Sequence, residues 1–337
     1  MTADPVAATG APRRRRGGGG GGRGGEQPMV PDATFTSYYG RPVVKPSPWK
    51  NDIPAYLFLG GLAAGSSLLA AGADLSGRNE LRRVMRLSAL VGTTAGAAAL
   101  IHDLGKPSRF LNMLRVAKPT SPMSVGTWTL TAFGPMAGIA ATAELVALLP
   151  RPLRTLARPV TLAARPAGLA AALLAPGLAS YTGVLLSDTA TPAWHAAYRE
   201  LPFVFAGSAA MAAGGVGMIG ASVEQAGPAR RLALGGLLLD LAAAQRMERS
   251  MGLSAETLRT GRARLLISSG RALAAGGLIG TIALGRRSRT ASMLSGFAFV
   301  AASACTRFGI FEAGQQSARD PRYTVAPQRA RLDQRAP

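Results

Sequence analysis

Charge is scarce in this chain. Only 16% of its 337 residues are Asp, Glu, Lys or Arg, against roughly 25% in a soluble globular domain. The deficit is concentrated: Ile53 to Ala73, Val125 to Ala143, Pro166 to Ser187 and Leu201 to Val223 contain no charged residue. Each run approaches the roughly 20 apolar residues that cross a hydrocarbon layer about 30 Å thick. A helix of a soluble protein buries one apolar stripe and keeps a polar face. Four charge-free runs therefore exclude a water-soluble fold and predict an all-α integral membrane protein.

Cysteine and histidine are nearly absent as well. Cys305 is alone, which excludes a disulfide within the chain and a thiolate-ligated iron–sulfur cluster, since such a cluster ordinarily takes four cysteines. With two histidines, His102 and His195, haem held by a histidine pair is poorly supported and no metal site is expected. Whatever electrons such a chain handles must come from a partner or a diffusible carrier. Acidic residues are few beside Lys and Arg, leaving a formal charge of +21. The basic residues are scattered over tails and short loops rather than along one folded face, so nucleic acid is not an expected partner.

Four further segments carry a charge or have a shorter clean run: Val84 to Ile101, Leu232 to Gln245, Leu265 to Gly285 and Thr290 to Thr306. Counting them gives about eight transmembrane helices embedded in the lipid bilayer, with Ala and Gly allowing close packing. The domain expectation is a disordered basic tail over 1–48, a membrane domain over 49–312 and a C-terminal tail over 313–337. The first tail holds Arg13 to Arg16 and the glycine run Gly17 to Gly22, a composition unable to form a core. Glycine stands where an export signal needs an apolar stretch, so no cleaved signal is expected.

Eight spans put both termini on one side, together with the loops 103–124, 188–200 and 246–264. This terminal face carries the larger share of Lys and Arg, which predicts that it is cytoplasmic. Asn51, Asp52, His102, Asp103, the stretch Tyr181 to Asp188 and the stretch Arg307 to Glu312 gather at that face. In the loop 103–124, Lys106, Arg109, Arg115 and Lys118 stand among Phe110, Leu111, Met113 and Leu114, as on a docking surface for a soluble partner.

Plain structural roles compete at each position. His102 and Asp103 can simply close a helix, Asn51 and Asp52 can open one, and Tyr181 can belong to an interfacial aromatic belt. Trp194 and His195 read as an interfacial anchor, and Asp240 and Arg271 as an ion pair between helices. Glu144, Arg165 and Glu224 read as residues reaching for the opposite surface.

Several stretches carry a resemblance. IHDLGKPSRFLNMLRVAKPTSPMSVGTW, SYTGVLLSDTATPAW and TRFGIFEAGQQSARDPRYT, with the opening WKNDIPAYLFLGGLAAGS, resemble the NrfD/polysulfide reductase membrane-subunit family. The resemblance implies two four-helix bundles, no haem, and a site for menaquinone or ubiquinone near the membrane surface. It also implies a ferredoxin-like iron–sulfur subunit docked there, and beyond it a molybdopterin catalytic subunit. By motif, Asn51 and Tyr181 match the family's quinone-approaching positions, with Thr182 and Asp188 beside them. His102, Asp103 and Asp52 are then proton-transfer candidates, and Arg307 joins Lys106, Arg109, Arg115 and Lys118 as a partner-docking candidate. The expected seat is a bacterial-type plasma membrane. A polytopic transporter or channel and a haem-b cytochrome anchor remain open alternatives from the residues alone.

Overall fold

A computed structural model describes residues 42–334 apart from 147, 149, 151, 153, 154 and 156. The expected disordered tail falls mostly on residues 1–41, outside the described residues. The described chain is helical without a strand: α1 Asp52–Leu75, α2 Asn79–Asp103, α3 Arg109–Met113, α4 Pro122–Val146, α5 Arg158–Ser187, α6 Pro192–Ala196, α7 Leu201–Gly220, α8 Gly227–Ser250, α9 Gly261–Ala283, α10 Arg289–Arg319 and α11 Arg322–Asp333. A 3₁₀ turn, Gly252–Arg259, joins α8 to α9.

Helix ends follow local chemistry. Proline stands in the first turn of α5, α7 and α8, where its missing N–H loses nothing. Gly77 and Gly105 leave α1 and α2 in the left-handed region, at φ 69° each, where a side chain would be strained. Pro135, Pro166 and Pro176 lie inside α4 and α5, as membrane helices tolerate when neighbours surround them.

Eight of these helices have 20 residues or more. Seven of them are long and apolar enough to cross a membrane, α8 being the exception. The chain is a multi-pass, all-α membrane protein. Helices α1, α2, α4 and α5 pack on one another, while α8 lies along α7 and α9 along α10; α10 rests on α7, and α1 and α5 join the two sets. Helix α8 owes its place to glycine: a Cβ on Gly207 would stand 2.5 Å from Asp240 N, and one on Gly214 2.5 Å from Ala233 N. Backbones in such contact tie α8 to α7 along its length.

The ends of the membrane domain differ from the sequence reading. α10 continues past residue 312 to Arg319, and Gln315 Nε2 donates to Ser47 O and Trp49 O at 3.1 and 3.2 Å. The end of α10 and the approach to α1 are thus bound together.

Candidate functional site

A pocket opens at the end of the molecule where α1 and α4 begin and α2 and α5 end. Its walls are Trp49, Ile53, Tyr56, Leu100, Thr127, Leu130, Tyr181 and Leu185, with Asp103 at its edge. Its roof is the α2–α4 loop, where Leu104, Phe110 and Met113 face inward and Met123 closes the side. Apolar walls with a few convergent polar tips are the ordinary form of a small-molecule site.

The roof is held by α4. Ser124 Oγ donates to Val116 O at 2.9 Å and accepts Lys118 N at 2.9 Å, and Trp128 Nε1 donates to Val116 O at 3.1 Å. The short helix α3 therefore turns Phe110 and Met113 down while Leu111 and Val116 stay exposed. Lys106, Arg109, Arg115 and Lys118 are all exposed on the same loop. A basic, partly apolar surface thus lies directly over the pocket.

Tyr181 enters from the last turns of α5 and is 8% exposed. Its ring lies close against Gly126 of α4, where a Cβ would fall 2.1 Å from the ring's Cε2. Its hydroxyl makes no hydrogen bond among the described residues, so a buried phenol reaches the pocket with its donor free. Tyr56 of α1, 5% exposed, supplies a second phenol to the same pocket.

Carboxylates and a histidine stand at the mouth. His102 Nδ1 lies 3.2 Å from Asp52 Oδ2, with the imidazole largely exposed, which joins the end of α2 to the start of α1. Asp103, the last residue of α2, lies at the pocket edge beside them, where the charges of Asp52 and His102 act on its carboxylate. The three residues stand together between the pocket edge and water.

The remaining expected residues go elsewhere. Asn51 is exposed at the N-terminus of α1 without a side-chain cap bond, and Asp188 is exposed at the C-terminus of α5; neither lines the pocket. Thr182, 1% exposed, points away from the pocket and lies 3.4 Å from Arg307 Nη1.

Arg307 is not a docking residue. It is 0% exposed, its guanidinium stacks 4.0 Å over the Phe205 ring, and it donates to Leu57 O at 3.1 Å, Phe205 O at 2.5 Å and Ser208 Oγ at 3.3 Å. A cation so enclosed cannot meet a partner surface; it fastens α1, α5, α7 and α10 just behind the pocket wall.

Three other sequence expectations change. Trp194 is core rather than anchor: 1% exposed, it stacks on Trp49 and meets Phe311 at a tilt, with centroids 6.0 and 5.4 Å away, and its Nε1 donates to Ile310 O. Arg271 pairs with Glu248 rather than Asp240, whose buried Oδ1 has no hydrogen-bond partner among the described residues. Glu144 is 5% exposed and held by Arg82 at 2.8 Å and Arg86 at 3.0 Å, an ion-paired group rather than one reaching for water.

Sequence reasoning missed Tyr56, Gly126 and Thr127. Tyr56 stands one turn after Asp52, and the other two sit in the VGTW stretch, so position near the α1 and α4 starts was the available signal. No curated protein matches the chain. The family described as polysulphide reductase, NrfD, matches residues 43–227, a span that contains every residue lining the pocket. Covering more than half of the chain, that match makes this protein a member of the NrfD polysulphide reductase family.

Proposed function

We propose that this chain is the quinone-reactive membrane subunit of a multi-subunit oxidoreductase, and that the pocket beneath α3 is where quinone reacts. Its family comprises membrane subunits of molybdopterin oxidoreductase complexes and is quinone-reactive in general. The observation carrying the reading is one apolar pocket at a helix end that gathers two buried phenols and a carboxylate under a basic roof. A quinone supplies an apolar ring and tail with two oxygens that take up electrons and protons. Such a molecule matches walls that are mostly aliphatic and aromatic with donors at one end.

Each residue has a task in that reading. Tyr181 donates from its hydroxyl to a ring oxygen, while Gly126 leaves room for its ring and so holds the donor in place. Asp103 holds a proton at the pocket edge, and the Asp52–His102 pair passes it to water, histidine being the side chain that changes charge near neutral pH. Leu104, Phe110 and Met113 exclude water from the ring. Lys106, Arg109, Arg115 and Lys118 receive an acidic face of a ferredoxin-like iron–sulfur subunit, which a molybdopterin subunit reduces or oxidises in turn. Eight spans in two sets of four, with α8 as the sixth, complete the arrangement in a bacterial inner membrane.

A photoreactive azidoquinone tests the site. Incubated with membranes and illuminated, it is expected to label peptides carrying Tyr56, Phe110 or Tyr181, and excess menaquinone is expected to suppress that labelling. Label confined to lipid-facing positions such as Leu173, which is 83% exposed, and indifferent to competitor would contradict the assignment.

A further inference from the structure

A second polar cleft lies at the opposite end, between the start of α8 and the end of α9. Arg230, Arg231, Arg286 and Thr281 line it, with Leu234 and Ile282 beneath. Arg230 is fixed, its Nη1 donating to Val223 O at 3.0 Å and to Gly285 O at 3.2 Å. Arg231 and Arg286 are exposed. Among the described residues no carboxylate forms an ion pair with any of the three. Arg286, Arg231 and Arg78 all act on Arg230 with like charge, and Glu224 is the acid opposing them. The cleft therefore holds an excess of positive charge. Gly227, the first residue of the 24-residue helix α8, also lines the cleft, and the positive end of that helix adds to the field.

Thr281 is the independent sign of a ligand. Its residue is 4% exposed, and its Oγ1 has no hydrogen-bond partner among the described residues. Threonine inside a helix ordinarily donates to the carbonyl four residues back. In this chain Thr93, Thr94, Thr127, Thr131 and Thr306 all do so, at 2.7 to 3.1 Å. Thr281 does not, although its residue lines the cleft together with Arg230, Arg231 and Arg286. A buried hydroxyl without a partner is unfavourable unless something accepts from it.

The surroundings specify what that something is attached to. Helix α8 packs on α7 and α9 on α10, but α8 and α9 barely touch although they are consecutive. Both expose apolar side chains, Leu238 and Leu241 on α8, Ile279 and Ile282 on α9. An apolar seam thus runs into the membrane from a cationic cleft at its surface.

We propose that this cleft binds the phosphate of an anionic phospholipid, whose acyl chains lie in the seam between α8 and α9. Arginine suits phosphate through its planar fork of donors. A zwitterionic lipid with a quaternary ammonium headgroup brings its own cation toward three guanidinium groups and binds less well. The inference stands apart from the quinone reading, since none of these residues belongs to the first pocket.

Native mass spectrometry of the full chain, purified in mild detergent and stripped of lipid, tests it. Titrated with dioleoylphosphatidylglycerol and dioleoylphosphatidylcholine, the native chain is expected to favour the anionic lipid by about 10-fold, the ratio that one charge-assisted contact supplies. Arg231→Gln with Arg286→Gln is expected to abolish the preference while leaving Arg230 to hold its two carbonyls. Thr281→Val, which keeps shape and removes the donor, is expected to lower anionic-lipid retention several-fold. Equal retention of both lipids by the native chain, or an undiminished preference in the double variant, overturns the proposal. Displacement of phosphatidylglycerol by millimolar inorganic phosphate overturns the lipid as ligand and assigns the cleft to a free anion.

Discussion

At the scale of single residues, contact between a glycine and a phenol shapes the pocket. Gly126→Ala puts a methyl group 2.1 Å from the present position of the Tyr181 ring, so either the ring turns or α4 and α5 separate. Overpacking of this kind destabilises by about 1–3 kcal/mol. Gly138, on the same helix, has nothing within 4 Å of its notional Cβ, so Gly138→Ala is the control and is expected to be neutral or slightly stabilising. Melting temperature and quinone-linked activity should both fall for Gly126→Ala alone; equal behaviour of the two variants would show that the ring is not fixed there. Arg307 gives a second expectation. Each hydrogen bond to a charged group contributes about 1.5–3 kcal/mol, and Arg307→Gln loses several of them at a four-helix junction. Tryptophan fluorescence on heating should show earlier unfolding, whereas an unchanged transition would put Arg307 outside the scaffold.

At the scale of elements, the loop that roofs the pocket also carries four exposed basic residues. Arg109→Glu with Arg115→Glu reverses two exposed charges without touching Phe110 or Met113. It is expected to weaken copurification of an acidic partner by like-charge repulsion, more strongly at low salt because screening is weakest there. Unaltered copurification at all salt concentrations would remove the loop from the interface. Elements were unequally legible in the sequence. α1, α4, α5 and α7 were plain because lipid demands long stretches without charge. The full length of α8 was not, because Arg230, Arg231 and Asp240 interrupt it and its seat depends on Gly207 and Gly214 of another helix. Trp194 looked interfacial because its partners Trp49 and Phe311 are far away in sequence. Tyr181 and Asp103 could be placed together from helix direction alone. Helix direction also puts Tyr56 at that end, but not into the pocket, since α1 is apolar on all sides and its periodicity marks no inner face.

At the scale of the whole molecule, the two ends differ in chemistry. One carries the pocket, the Asp52–His102 pair and the basic roof; the other carries the Glu144 ion-pair network and the arginine cleft. Gln315 binds the approach to α1 against the end of α10, so the chain enters and leaves its helical domain at the pocket end. The larger share of Lys and Arg at that end predicts that it faces the cytoplasm. A reporter active only in the cytoplasm, fused after Pro337, is expected to be active, and its silence beside an active periplasmic reporter would reverse the orientation. The central claim, that quinone reacts in the pocket against Tyr181, is tested most directly by Tyr181→Phe in the assembled complex. The substitution keeps the ring against Gly126 and removes one donor, worth about 0.5–1.5 kcal/mol in a neutral hydrogen bond and on the order of 100-fold in rate where charge develops on the acceptor. Electron transfer from the catalytic partner is measured to a soluble dye and to quinone: the account requires the dye rate to persist while the quinone rate falls, and full retention of the quinone rate would contradict it.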